Sequence, residues 1–127
     1  MITDPIANLL TSIRNANMAR KDEVQVPFSN LKIGILKVLK EKKFILDYKL
    51  VENGKFKDIA ITLNPEKAKF DLKRISKPGQ RIYSGSETIK KVKGGLGVTV
   101  ISTSKGIMSG EEAKKMHIGG EVLCQIF

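Results

Sequence analysis

Phe44-Ile45-Leu46-Asp47-Tyr48-Lys49-Leu50-Val51, then Glu52-Asn53-Gly54-Lys55, then Phe56-Lys57-Asp58-Ile59-Ala60-Ile61-Thr62-Leu63 is the stretch that decides the fold. Both arms alternate apolar and polar residues, the period-two pattern of a half-buried strand. Asn53-Gly54 at the centre of the link is a strong hairpin signal, because such a turn needs positive φ and glycine takes it without strain. The stretch therefore predicts an antiparallel hairpin centred on Asn53-Gly54.

Upstream, Ser29 stands as a helix N-cap before Leu31, Ile35 and Leu39, with Ile33 and Leu36 widening the apolar face. Lys37, Lys40, Lys42 and Lys43 crowd the last turns, where they favour the negative end of the helix dipole. Val24-Gln25-Val26 reads as a short strand ended by Pro27. Asp4-Pro5 reads as an N-cap followed by proline at the first helical position. Behind it Ile6, Leu9, Leu10 and Ile13 recur at helical spacing, which predicts an amphipathic helix from residue 5 to about 19.

Downstream, Asn64-Pro65 breaks the strand pattern and marks a lobe boundary, giving an N-terminal α/β lobe over 1–65 and a C-terminal, mainly β lobe over 66–127. The second lobe opens with a strand around Lys69 to Ser76, turns at Lys77-Pro78-Gly79-Gln80 as a type II turn, and returns as Arg81-Ile82-Tyr83. Ser86 to Lys93 is a short polar helix or an irregular link, and Gly94-Gly95-Leu96-Gly97 leads flexibly into a strand over Val98 to Ser102. Ser104-Lys105-Gly106 turns that strand back. Ser109-Gly110-Glu111-Glu112 is a Ser-x-x-Glu capping box starting a short helix through Met116. After Gly119-Gly120, residues Glu121 to Phe127 form a closing strand with Val122, Cys124 and Ile126 on one face. The fold class is α+β in two small lobes. The first runs helix, strand, helix, strand, strand, and the second is mostly antiparallel sheet with one short helix.

Charge narrows the function. The 127 residues carry 23 Lys plus Arg against 13 Asp plus Glu, a formal net charge of +10, while 41% are hydrophobic. That apolar share, spread along the chain, excludes a disordered basic tail. The N-terminus carries Asp4 and no basic flank before its apolar residues, unlike a secretory signal, and no apolar run reaches a membrane-spanning length. The single cysteine, Cys124, fits a reducing cytosol and leaves no internal disulfide. Most of the excess charge lies in residues 67–105, where Lys67, Lys69, Lys73, Arg74, Lys77, Arg81, Lys90, Lys91, Lys93 and Lys105 face only Asp71 and Glu87. Such a window repels itself unless a polyanion lies against it, and phosphate backbones are the usual one. A membrane surface would want an amphipathic helix with aromatic anchors, and this window has no tryptophan and reads as strands. Only four of the cations are arginine (Arg14, Arg20, Arg74 and Arg81), so a nucleic acid would be held by backbone and shape more than by bidentate base reading.

Three adjacent hydroxyls, Ser102-Thr103-Ser104, followed by Lys105-Gly106, expose short donors and acceptors in a loop that can reach phosphate, ribose and base edges. Ser102 to Lys105 also matches the Ser-x-x-Lys pattern of serine acyltransferases and hydrolases, but the companion Ser-Asp-Asn and Lys-Thr-Gly motifs are missing. Gly94-Gly95-Leu96-Gly97 is read as a hinge, since the Gly-x-x-Gly clamp of KH domains joins two helices and here a strand follows. His117, the only histidine, is read as a surface or partly packed residue near a helix end; with one Cys and one His, no conventional zinc site can be built. Cys124 is read as a buried apolar residue, and Tyr83 either stacks on a base or packs in the core. No cofactor motif is read.

These residues, taken together, resemble a known family along nearly the whole chain. Asp4-Pro5-Ile6-Ala7 with Ile13-Arg14-Asn15-Ala16, the stretch from Arg74 through Ser76-Lys77-Pro78-Gly79-Gln80 to Tyr83, the run from Gly95-Leu96-Gly97 into Ser102-Thr103-Ser104-Lys105-Gly106-Ile107-Met108, and Gly119-Gly120-Glu121-Val122 are similar to the bacterial small-subunit ribosomal protein eight family. The resemblance implies a cytoplasmic, non-enzymatic, primary binder of small-subunit (16S) ribosomal RNA that holds the central domain and helps assemble the platform. It further implies contact with neighbouring small-subunit proteins five and twelve and, in some members, repression of the operon through a similar messenger RNA site. It places Ser102, Thr103, Ser104 and Lys105 in the principal RNA-contacting loop with Tyr83 and Glu121 nearby. Thr3, Asp4, Ser29, Asn30 and Lys32 would touch the RNA backbone from the first lobe. Lys77 and Arg81, from the basic window, complete the expected site.

Overall fold

The computed structural model describes residues 5–67, 70–77, 79–89 and 97–127. The expectations for Thr3, Asp4, Lys69, Pro78, Lys90, Lys91, Lys93 and Gly94 to Leu96 lie outside the described residues. Helices and antiparallel sheets make an α+β fold. The chain divides into two units, one spanning Pro5–Phe70 and one containing Asp71–Phe127. The division falls a few residues past the Asn64-Pro65 break. Phe70 packs its ring edge-on to Phe44 at 5.1 Å, which joins Phe70 itself to the first unit.

In the first unit, helix α1 (Pro5–Met18) buries Ile6, Leu9, Leu10, Ile13 and Ala16, the stripe its spacing predicts. Strands β1 (Glu23–Pro27), β2 (Ile45–Asn53) and β3 (Phe56–Leu63) pair antiparallel in the order β1-β3-β2. Ile59 and Ile61 of the central strand are fully buried. Truncating either to alanine would cost about 2–5 kcal/mol.

The hairpin turn lies one residue beyond the predicted centre. Asn53 pairs with Phe56, so Gly54-Lys55 are the central residues, and Gly54 takes φ +65. A turn needing positive φ only at its first central position suits Gly54 and frees Asn53 to join the strand. The observed register sets Leu50 opposite Ile59 and Glu52 opposite Lys57.

Helix α2 (Asn30–Glu41) is capped as expected: the Ser29 hydroxyl accepts from the Lys32 N–H at 3.4 Å. Its buried face is Lys32, Ile35, Leu36, Val38 and Leu39, while Leu31 and Ile33 are only half-buried. Lysine stands where the apolar pattern has a gap because its methylene stem packs while its ammonium bonds inward.

The described helices all close with the same backbone device. In α1 the Lys21 N–H reaches the Ala16 carbonyl and the Arg20 N–H that of Asn17; Phe44 to Leu39 with Lys43 to Lys40, and Ile118 to Ala113 with His117 to Lys114, repeat the pattern. The residue in the left-handed position, usually glycine, is Arg20, Lys43 or His117, with φ 54, 63 and 57. Arg20 and Lys43 put a positive charge just past a negative helix end, an electrostatic gain that offsets part of the backbone strain.

The second unit is one antiparallel sheet around strand β8 (Gly120–Ile126). β6 (Val98–Thr103) pairs with one edge of β8 and with β7 (Gly106–Ser109) beyond. The other edge of β8 is shared: β4 (Leu72–Arg74) pairs with its C-terminal half and β5 (Tyr83–Ser84) with its start. The link after β5 begins as a 3-10 turn, Ser86–Thr88. Helix α3 (Gly110–Lys115), capped by the Ser109 hydroxyl accepting from Glu112 N–H at 3.3 Å, is joined through Ala113 to a cluster of Ile89, Ile101, Met108 and Val122.

Two expectations are corrected here. Lys77 and Gln80 do exchange both backbone hydrogen bonds at 2.9 Å, but Gly79 does not take the positive φ that a type II turn requires. The strand face is also different. Val122 lies opposite Ile101 and Cys124 opposite Val100, with Leu123 as an extra residue between them. Neighbours on β6 point to opposite faces, so Val122 faces away from Cys124 and Ile126.

Candidate nucleic-acid interface

The bulge at Leu123 sets the register of the site. Beyond it Ser102 is paired with Glu121, and Glu121 on its other side with Tyr83. Without the extra residue, Ser102 would oppose Val122. Residues directly opposite one another share a face, so Tyr83, Glu121 and Ser102 form one row across three strands, extended by Ile107. Tyr83 is 70% exposed, which assigns it to the surface and not the core.

Glycines make the row as tight as it is. A Cβ on Gly120 would stand 2.1 Å from the Ser102 carbonyl oxygen, and one on Gly119 would stand 2.3 Å from that of Ser84. Any side chain at either position must push strand backbone aside.

Arg81 stands just before the row. Its Nη1 lies 3.0 Å from Glu121 Oε2, a pair that neutralises the carboxylate within an otherwise basic surface and fixes the guanidinium. The loop carrying Lys77 and Arg81 is pinned by Ser76. Its buried hydroxyl accepts the Ile82 N–H at 2.9 Å and donates to the Ile82 carbonyl at 3.2 Å. The Ile82 carbonyl also accepts from Val122 N–H at 2.9 Å. Arg74 Nε adds a hydrogen bond to the Ser76 carbonyl.

The hydroxyl run is divided in its duties. Thr103 pairs with Gly106, so Ser104 and Lys105 form the turn, and Gly106 absorbs the reversal with φ +109. The Thr103 hydroxyl accepts the Lys105 N–H at 3.1 Å and donates to the Gly106 carbonyl at 2.8 Å. Thr103 is thus a brace, and Ser104 and Lys105 are the exposed tip. Lys77 is exposed in its own turn.

Of the residues expected in the first unit, Asn30 is exposed at the first turn of α2, and Ser29 is engaged as its cap. Lys32 is 4% exposed, with Nζ 3.1 Å from Asn8 Oδ1 and 3.0 Å from the Pro27 carbonyl. Its ammonium is engaged within the first unit by these two hydrogen bonds. Burial lowers its pKa from 10.5, opposed by the charge of Asp58.

Sequence reasoning missed Ser76, the bulge at Leu123 and the Arg81–Glu121 pair. Only the glycine pair carried a signal, since two glycines opening a β-rich run announce close backbone approach. Cys124 is buried and uncharged, its thiol pushed up to about 12 chiefly by desolvation. Among the described residues no group of His, Cys, Asp and Glu could hold a metal ion.

A small basic α+β protein with a rigid polar row and a hydroxyl-tipped turn is a binding module in its architecture. The profile of the ribosomal protein S8 family matches residues 4–127. Small ribosomal subunit protein uS8 of Halothermothrix orenii is 50% identical over 130 residues, covering 99% of this chain and 98% of that protein. Its counterpart in Desulforudis audaxviator is 50% identical over 131 residues and covers all of both, and that of Caldicellulosiruptor bescii is 49% identical over 130 residues, 99% of this chain and 98% of its own length. The chain belongs to the ribosomal protein S8 family, and with that membership it is a structural constituent of the ribosome, cytoplasmic in bacteria.

Proposed function

We propose that the protein is a primary binder of the central domain of small-subunit (16S) ribosomal RNA, holding an irregular RNA helix by shape and helping to assemble the platform. The observation that carries this reading is the register row Tyr83–Glu121–Ser102, with the exposed Ser104–Lys105 tip two residues further along the chain from Ser102. Lysines there neutralise phosphates, short hydroxyls reach ribose and base edges, and the Tyr83 ring offers a stacking face. A rigid tip braced by Thr103 loses little entropy on binding. Asn30, with Thr3 and Asp4, supplies further backbone contacts, and Ser29 and Lys32 act by shaping the helix that carries Asn30.

The further partners the family suggests are small-subunit proteins five and twelve as neighbours on the ribosome and, as in some members, an operon messenger RNA that imitates the ribosomal site and would take the same surface as the ribosomal RNA. No bond is made or broken. Ser102 lies within a strand opposite Glu121 and not at a helix start, so the acyl-transfer arrangement with Lys105 has no support in the geometry.

Footprinting on total ribosomal RNA tests the reading. Protection is expected at one irregular helix of the central domain, and affinity should fall steeply as salt rises. Equal affinity for duplex DNA, or a flat salt titration, would overturn it.

A further inference from the structure

Ser76 is the most deeply buried polar residue among those described, 0% exposed. A hydroxyl in that position needs both a donor and an acceptor, and one residue supplies the two. Ser76 Oγ accepts the Ile82 N–H at 2.9 Å and donates to the Ile82 carbonyl at 3.2 Å. The reason lies in β8. A hydrogen-bonded residue in a regular antiparallel pair exchanges both its backbone bonds with one opposite neighbour. Val122 divides them: its carbonyl accepts the Ser76 N–H at 3.1 Å, and its N–H donates to the Ile82 carbonyl at 2.9 Å. β8 therefore changes partner at Val122, from the end of β4 to the start of β5. The change deprives the Ile82 N–H of the Val122 carbonyl, and the Ser76 hydroxyl stands in for it.

Ile82 sits between two residues of the candidate interface. Arg81 precedes it, with its guanidinium 3.0 Å from the Glu121 carboxylate, and the exposed Tyr83 follows it in the row. Ser76 itself offers nothing to a ligand, because its hydroxyl is engaged by Ile82 and its carbonyl accepts from Arg74 Nε. Without the hydroxyl, the Ile82 N–H would have no acceptor inside the protein. Ile82 is 39% exposed, so the easier response is for the segment 77–82 to lift towards water while the rest of the sheet stays paired. Binding would then have to order that segment first, which lowers affinity. We propose that Ser76 is the positioning residue of the RNA-contact surface, fixing Arg81 and Tyr83 through Ile82 without touching RNA. The proposal rests on the RNA-binding reading and adds to it a residue behind the surface that sets its affinity.

The test is a mutant cycle on the full-length chain. Affinity for a central-domain fragment of small-subunit ribosomal RNA is measured at a temperature where circular dichroism shows each variant folded. Ser76→Ala should weaken binding about fivefold to tenfold, the worth of one or two hydrogen bonds. In a chain that already carries Arg81→Ala and Tyr83→Ala, the same change should weaken it by less than about twofold, because the residues through which Ser76 acts are gone. A loss of stability alone would not produce that difference between backgrounds. Equal losses in the two backgrounds, or no loss in either, overturn the proposal. The unmodified chain supplies an arm that no folding failure can remove. In the free protein the Ile82 amide should exchange at least about a hundredfold more slowly than in an unstructured peptide, and exchange at the peptide rate overturns the proposal as well. An unmodified chain with no preference for the fragment over duplex DNA loses the RNA-binding reading. One that keeps the preference while Ser76→Ala binds equally well loses only the positioning role.

Discussion

The two units use the same residue types in opposite ways. In the second, strand register carries Tyr83, Glu121 and Ser102 to one face and leaves Ser104 and Lys105 exposed. In the first, Ser29 is engaged in capping α2 and Lys32 is turned inward onto Asn8 and Pro27. A serine or lysine at an expected contact position is therefore not yet a contact. What decides is whether the fold has already used its polar atoms.

Gly120→Ala should upset this contrast most severely. The new Cβ would fall 2.1 Å from the Ser102 carbonyl oxygen, so β6 or β8 must move. Overpacking of this kind costs about 1–3 kcal/mol. Urea melts should show that loss, and filter binding should show RNA affinity falling by more than about tenfold because the row itself is displaced. Full affinity in a folded Gly120→Ala variant would mean the row is not the contact surface.

A sharper contrast comes from one alanine in each unit. Ser104→Ala should weaken RNA binding by about fivefold to tenfold with an unchanged melting curve, the usual worth of one or two hydrogen bonds. Ser29→Ala should do the reverse, losing about 1 kcal/mol of stability with the cap while affinity stays within about twofold. The two lysines separate in the same way. Lys77→Ala should reduce the slope of log affinity against log salt by about one. Lys32→Met should leave that slope unchanged and appear only in the melt, because the Pro27 carbonyl and Asn8 lose their donor.

The smallest effect concerns the core of the second unit. The Cys124 thiol is raised from 9.0 to about 12 in the folded protein. Between those values the unfolded chain ionises first and binds fewer protons, so stability falls as pH rises through that window and is unaffected by this group below 9. At pH 10 the loss is about 1.4 kcal/mol, and Cys124→Ala should flatten the alkaline limb of the pH–stability curve by that amount.

How much the sequence told in advance follows the same division. Local chemistry was legible: Ser29 and Ser109 as caps, the stripe of Ile6, Leu9, Leu10 and Ile13, and the hairpin through Gly54 all depend on neighbours a few residues away. Family likeness put Ser102 to Lys105, Tyr83 and Glu121 on one candidate surface, and the register shows how Tyr83, Glu121 and Ser102 come to lie in line. What escaped depends on residues distant in sequence. The bulge at Leu123 exists only relative to β6, Ser76 acts on a loop six residues away, and the burial of Lys32 requires Asn8 on another helix. A turn shifted from Asn53-Gly54 to Gly54-Lys55 is the mildest case, since both registers satisfy the same glycine.

The most direct test of the central claim is amide hydrogen exchange on the full chain, free and bound to a central-domain fragment of small-subunit ribosomal RNA. The account predicts new protection concentrated at residues 81–84, 102–106 and 120–121. Protection spread evenly over exposed lysines on both units, with none at the Ser104–Lys105 tip, would contradict it.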